Sequence, residues 1–388
     1  MTPSRATELL YNDIVPVEAV RREHDRLRAV LESTAETIEL TDVLEDLAAT
    51  QEGPARIATE LSFGSAATAT MLRRRWEDLP AAHIVQDCVL GVPAEYDRLA
   101  PYLAGPWFLT PPLPNLYFMR DASFVVHDRV YRSRMASAVR RAESALVSLA
   151  LRHLGAAGTE SEVFRAAKEP VEGGDILVYS RDLILVGVGS RTAPSSLDAL
   201  GMAMSERRER DLTVLAVILP DNRATIHLDM IVTILEPKRV LAYVPFFEGS
   251  SAFPVYRLRI PPAGAGEKRW RIDEFAELRA AFSACDVEVD RIPCGGTDPV
   301  VREREQWFSA CNSVALASGQ VVVFGNNRAT LEAFSAAGYE IRENAPADGA
   351  APRDKTDRVA WAIDGLELAR GGGGPRCMTL PIDRDELE

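Results

Sequence analysis

The sequence predicts an α/β protein assembled from a recurring strand–turn–strand–helix–strand unit, with an α-helical block near its N-terminus. Three observations carry this. Apolar hairpin pairs recur: Ile176-Leu177-Val178-Tyr179 with Leu183–Val188 across Ser180-Arg181-Asp182, and Val314–Ala317 with Val321–Phe324 across Ser318-Gly319-Gln320. Each pair precedes a helical pattern. Two similar acid–glycine turns, Glu172-Gly173-Gly174-Asp175 and Cys294-Gly295-Gly296-Thr297-Asp298, open two of the units, a weak repeat at long period. Residues 42–103 lack strand alternation, are alanine-rich, and break at Gly53-Pro54, Leu79-Pro80 and Gly91-Val92-Pro93. Repetition of such a unit points to radial symmetry, with a site where the units meet.

The elements follow in order. Residues 16–33 read as an amphipathic helix with Val20, Leu27, Val30 and Leu31 on one face. Thr37–Leu40 reads as a short strand. The helical block follows, and Pro111-Pro112-Leu113-Pro114 ends it. Phe124–Val126 is a strand and Ser133–Leu154 a helix. After the first hairpin come a helix at 195–208 and a strand at Thr213–Ile218. His227–Ile234 reads as a strand, which puts His227 and Asp229 on one face, and Arg239–Tyr243 as another. The second hairpin leads to a helix at Thr330–Ala337. The tail from Asp354 to Asp364 ends in an apolar segment before the glycine run 371–374.

The chain has 388 residues, enough for one large or two smaller domains, with 47% hydrophobic and 26% charged residues. The net charge of −13 argues against nucleic acid or an anionic membrane as partner and suits a cationic small molecule. The five cysteines are scattered without a C-x-x-C, so neither a disulfide framework nor a zinc site is expected. A reducing, cytoplasmic location is expected. The first residues carry no apolar signal core, and no run of about 18 apolar residues exists to span a membrane.

Cys377 closes the run Gly371-Gly372-Gly373-Gly374-Pro375-Arg376-Cys377, where backbone can come close to a ligand. It reads as a presented thiol or as an inert buried one. Asp121 either caps a turn or binds; Glu172 and Asp175 are solvated turn acids or site acids. His227 and Asp229 are a satisfied core pair or a catalytic pair. Arg140 and Arg191 are surface cations or anion clamps. Together, a thiol, one histidine and several acids are what attack on a guanidinium requires. Carboxylates fork around its N–H groups and hold its carbon over the sulfur. The cation lowers the thiol pKa, and a histidine moves protons to the departing amine and from water.

The chain resembles the arginine deiminase family of the guanidino-group-modifying superfamily. The matching stretches are Pro114–Asp121, Glu172–Asp175, Gly187–Thr192, His227–Asp229, Gly295–Asp298, Arg304-Glu305-Gln306-Trp307 and Gly373–Met378, in the family's order. The resemblance implies a five-bladed α/β propeller of ββαβ modules with an inserted helical subdomain. Residues 1–41 would be a partial first module, 42–110 the insertion, and 111–388 the remaining modules. It implies Cys377 as nucleophile, His227 as general acid and base, and Glu172 as the residue that orients His227 and contacts the guanidinium. Asp121 and Asp229 grip the guanidinium. Asn115, Phe118, Arg140 and Arg191 bind substrate, with Asn115, Arg140 and Arg191 on its carboxylate. The implied reaction converts L-arginine and water to L-citrulline and ammonia, without metal or organic cofactor, in a homo-oligomer.

Two departures qualify the resemblance. The family's arginine five residues before the cysteine is replaced by Gly372, with Arg370 as the nearby substitute. The N-terminus is shorter than the family's, so either translation starts upstream or the first blade lacks its first strand, leaving an open sheet edge. Two alternatives stand beside the deiminase reading. One is another guanidino hydrolase or an amidinotransferase, and the other is a non-catalytic guanidino-binding homologue.

Overall fold

Spacing of apolar side chains decides the first elements. In a computed structural model describing residues 6–156, 169–206, 208–249, 251–264, 269–343 and 357–383, α1 (Val17–Glu32) buries Leu27 and Val30. The segment read as a strand, Thr37–Leu40, instead leads into α2 (Leu40–Ala48). Leu40, Val43, Leu44 and Leu47 are spaced i, i+3, i+4, i+7, a helical rather than an alternating pattern. Then come α3 (Gly53–Leu61), α4 (Ala66–Trp76), α5 (Ala81–Leu90), β1 (Val92–Pro93), α6 (Leu99–Ala104) and β2 (Phe108–Thr110). This block shares one apolar core, including Leu44, Leu47, Ile57, Leu72 and Trp76, with Leu146 and Val147 of a later helix.

The proline segment leads to the short α7 (Met119–Ala122), then the hairpin β3 (Ser123–Val126) and β4 (Arg129–Arg132). The helix expected from Ser133 starts later, as a 3₁₀ turn at Ala138–Arg140 running into α8 (Arg141–His153). Residues before it stay extended because Arg134 forms a β-bridge with Val171.

Three ββαβ units follow among the described residues. The first is β5 (Ile176–Val178), β6 (Leu183–Val188), α9 (Pro194–Ser205) and β7 (Leu212–Ile218). The second opens with β8 (Val232–Glu236) and β9 (Arg239–Ala242), passes α10 (Val244–Phe247) and the hairpin β10 (Val255–Ile260) and β11 (Arg271–Phe275), and closes with α11 (Leu278–Ser283) and β12 (Asp290–Pro293). After α12 (Pro299–Trp307), the third comprises β13 (Val314–Ala317), β14 (Gln320–Phe324), α13 (Arg328–Ala336) and β15 (Glu340–Glu343). β16 (Val359–Ile363) inserts between β14 and β15. Residues 354–356 of the tail lie outside the described residues.

In each unit the first two strands are antiparallel and a later strand lies parallel to the second: β7 on β6, β12 on β9, β16 on β14. The β10–β11 hairpin joins the first unit's sheet through β7, giving the order β11-β10-β7-β6-β5. One core spans all three sheets, with Leu215, Val232, Leu241, Val321 and Ala360 among its fully buried members. α1 covers the last sheet, its Leu27 and Val30 against Val322, Phe324 and Trp361. No described helix is long and apolar enough to cross a membrane.

Candidate active site

The turns that enter the first strand of successive units carry the polar residues. Asp121 lies in α7 before β3; Glu172–Asp175 precede β5; His227–Met230 precede β8; Asn312 precedes β13. Cys377 arrives on the loop after β16. The segment read as a strand from His227 is a 3₁₀ turn at Leu228–Met230, and β8 starts only at Val232. A buried acceptor holds this turn: the Leu228 N–H donates to Asp175 Oδ1 (3.0 Å), and Thr192 donates to Asp175 Oδ2 (2.6 Å). Gln306, from the Arg304–Trp307 stretch, donates to the carbonyls of Ala224 (2.6 Å) and Met230 (3.2 Å), clamping the same turn.

His227 is buried and bonded through Nε2 to Glu172 Oε2 (2.9 Å); its Nδ1 lies 3.6 Å from Asp121 Oδ1. Glu172 Oε1 accepts the Ala136 N–H (2.8 Å) and faces Arg191 at 3.7 Å. Burial alone would lower the imidazole pKa, but Asp121, Glu172 and Asp175 outweigh it and raise it to about 9. Burial opposes ionisation of Asp121 and Glu172, yet His227 with Arg140, and His227 with Arg191, hold their pKa values below the usual range. The resting cluster is two carboxylates around an imidazolium.

Glu172→Gln removes one of the acids raising the imidazole pKa. The His227 pKa is expected to fall from about 9 towards its ordinary value, moving the alkaline limb of the kcat/KM profile to lower pH. The sign for folding agrees. A pKa raised in the folded state stabilises fully below about 6.5, and that contribution is lost as pH rises through about 9. An unmoved alkaline limb in the variant would refute the coupling.

Gly174 makes this packing possible. A Cβ there would lie 2.6 Å from His227 Cγ, 2.7 Å from Nδ1 and 2.9 Å from Asp121 Oδ1. Gly174→Ala is expected to displace the imidazole, costing about 1–3 kcal/mol of stability and most of the activity. Wild-type melting and turnover would show that the ring relaxes freely.

The cysteine loop is held by Asn312, whose Oδ1 accepts the N–H groups of Gly374 and Cys377 (3.0 Å each). The N–H of Arg120 donates to the Cys377 carbonyl (3.0 Å). Arg376 reaches inward to Asp229 Oδ2 (2.6 Å) and the Ile176 carbonyl (2.8 Å), and Cys377 Sγ is 3.9 Å from the same Asp229 oxygen. Burial pushes the Cys377 thiol well above its usual pKa; Asp229 and Asp121 add to this and Arg376 opposes it. At rest Cys377 is therefore a neutral thiol.

Asn115, Phe118, Asp121, Arg140, Arg191, His227 and Cys377 line one narrow cleft with Leu10, Arg223, Ile226 and Gly371–Gly373. Glu172 sits behind His227, and Asp229 behind Cys377 with Arg376. Two buried carboxylate oxygens, Asp121 Oδ1 and Asp229 Oδ1, have no hydrogen-bond partner. Arg140 is fully engaged: Nη1 to Asp121 (2.6 Å), Nε to Glu143 (2.7 Å), Nη2 to the carbonyls of Phe118 (3.1 Å) and Asn115 (3.4 Å). The Asn115 side chain donates to the Leu9 carbonyl (2.8 Å). Arg370 is turned away, paired with Asp13 (2.6 Å) and Glu367 (2.8 Å). Asp121, Glu172 and His227 offer ligand atoms within 4.8 Å of one another. Arg140 and Arg191 already set cationic charge against those carboxylates, which disfavours a divalent ion among them.

Sequence reasoning missed Asn312, Arg223 and the inward role of Arg376. An uncharged asparagine before a strand carries no signal, and an arginine reads first as surface.

The arginine deiminase family model matches residues 7–384. An arginine deiminase of Mycobacterium avium (strain 104) is 31% identical over 404 residues, spanning 100% of this chain and 93% of the relative. That of Rhodococcus jostii (strain RHA1) is 32% identical over 411 residues, spanning 100% and 92%. Among solved structures, the N-terminal domain of ArgZ, an arginine dihydrolase from cyanobacteria, aligns with TM-score 0.48 at 19% identity, covering 72% of this chain and 79% of that one. With a match running from the helical block through the cysteine loop, the chain belongs to the arginine deiminase family.

Proposed function

We propose that the protein hydrolyses L-arginine to L-citrulline and ammonia through a covalent intermediate on Cys377. The observation that carries this reading is the pair of buried carboxylate oxygens without a hydrogen bond, Asp121 Oδ1 and Asp229 Oδ1, in a site that also holds a thiol and an imidazolium. A planar cation with N–H groups on several edges satisfies both oxygens.

The bound cation offsets the acids that raise the thiol pKa, so substrate itself favours the thiolate. The Cys377 proton passes to the surrounding acid–imidazole cluster, and Sγ bonds to the guanidinium carbon. His227, protonated at neutral pH, gives a proton to the departing nitrogen, which leaves as ammonia from an amidino-thioether. The neutral imidazole then takes a proton from water as its oxygen bonds to the same carbon. The C–S bond breaks, returning the electron pair to sulfur; the hydroxyl proton passes to the thiolate as the ureido C=O forms, citrulline leaves, and the proton first taken from Cys377 departs with ammonia as ammonium. Glu172 holds the imidazole through Nε2, so Nδ1 is the atom that exchanges protons on the cleft side.

The fold we propose is a five-module propeller with residues 42–110 inserted and residues 1–41 as part of the first module. Five chain segments meeting at the site and three ββαβ units support it. A cytoplasmic homo-oligomer is part of the same proposal. Light scattering tests the assembly, and fractionation the location.

The functional test is a citrulline and ammonia assay on purified protein with L-arginine. The expected result is equal amounts of the two products. Ligand binding without product would refute the hydrolase reading in favour of a binding homologue.

A further inference from the structure

We propose that Arg223 is a substrate-binding residue, forming with Arg191 the cationic end of the cleft that takes the carboxylate of the amino-acid substrate. This rests on the deiminase reading and extends it. Arg223 comes from the 3₁₀ turn Arg223–Thr225, four residues before His227, and lines the cleft with Arg191 and Cys377.

The charge distribution points to an anion here. The partners of Arg223 among the described residues are neutral: the side-chain oxygen of Asn12 and the carbonyl of Leu10. It is partly buried, and burial together with Arg191 pushes its pKa down. The carboxylate nearest Arg191 is Glu172, at 3.7 Å, already bonded to His227 and the Ala136 N–H. Two like charges thus line one cleft, and among the described residues no acid is paired with Arg223.

Arg140 is the opposite case. Two acids and two carbonyls use its donors, so its charge is balanced without ligand. Acid oxygens without hydrogen bonds near the thiol, and a guanidinium bonded only to neutral oxygens beside Arg191, match a zwitterion with a cationic head and an anionic tail. A forked guanidinium can bind a carboxylate through two N–H groups.

Gly372 leaves room for this arrangement. It sits at φ +90°, and a Cβ there would approach Arg223 Nη2 to 3.4 Å and Asn12 Nδ2 to 3.6 Å. Arg223 therefore lies over a glycine run that places no side chain between it and the cleft.

The test compares L-arginine with agmatine, which has the same guanidinium and no carboxylate. KM and kcat are measured for arginine, and agmatine affinity as an inhibition constant against arginine. Arg223→Gln is expected to lower kcat/KM for arginine about 10–100-fold, mainly through KM, with agmatine affinity changed less than about threefold. Arg223→Lys should recover part of the loss. Asn12→Ala frees the N-terminal segment but keeps the cation, so its arginine-to-agmatine preference should stay near wild type.

Equal loss on both ligands, or the Arg223→Gln phenotype reproduced by Asn12→Ala, would make Arg223 a tether of that segment and overturn the proposal. Should Arg223→Gln fail to fold, Arg223→Lys that leaves arginine KM unaltered, or that shifts arginine KM and agmatine affinity by the same factor, would overturn it as well. Wild-type protein that makes no citrulline refutes the deiminase reading itself. Citrulline production with an unaffected Arg223→Gln refutes the Arg223 assignment alone.

Discussion

Cys377→Ala is expected to reduce citrulline formation by at least about 10⁴-fold while arginine still binds. Nucleophile removal in enzymes with covalent intermediates has effects of this size, because the remaining groups lose the step they serve. Binding should survive, since Asp121 Oδ1 and Asp229 Oδ1 remain and the lost thiol is neutral at rest. The check is paired: steady-state citrulline, and calorimetry with arginine. Acid quench of wild type during turnover should trap an adduct on Cys377 by mass spectrometry, absent from the variant. Cys88 supplies the control. Burial in the helical block raises its pKa to about 12, and Cys88→Ser should leave turnover intact. Substantial turnover in Cys377→Ala would remove the thiol from the chemistry.

Legibility in the sequence followed the kind of signal each element carried. Both hairpins, β5–β6 and β13–β14, lie within a residue or two of their expected positions because short apolar runs flank polar turns. The helical block was readable from its breaks. β10 and β11 were not, since β11 is an edge strand, Arg-Ile-Asp-Glu-Phe, with three charged residues among its five. Thr37–Leu40 looked extended in isolation, but the spacing that starts at Leu40 is helical. The His227–Asp229 pair was read as neighbours on a strand face, and the 3₁₀ turn instead sends His227 to Glu172 and Asp229 to Arg376. That turn depends on Asp175, more than fifty residues away. No local pattern encodes such a contact. The same holds for Asn312, which holds the cysteine loop from a separate unit.

Asp229→Asn is expected to have two separable effects. Asp229 is fully buried and bonded through Oδ2 to Arg376, a residue nine-tenths buried, while its Oδ1 has no partner. Neutralising it leaves the charged Arg376 guanidinium buried without its counter-ion, at a cost of about 3 kcal/mol or more. In the proposed mechanism it also removes one fork of the guanidinium grip. Turnover should fall about 10²–10³-fold, the scale for losing one preorganised electrostatic contact, with KM rising as well. Arg376→Met in the Asp229→Asn background tests the separation. Removing the stranded cation should recover part of the melting temperature and none of the activity, because Arg376 only balances Asp229, whereas the proposed reaction uses the Asp229 carboxylate to hold the guanidinium. If the double variant regained turnover along with stability, Asp229 would be a packing residue. The charge that holds arginine over Cys377 would then have to come from Asp121 alone.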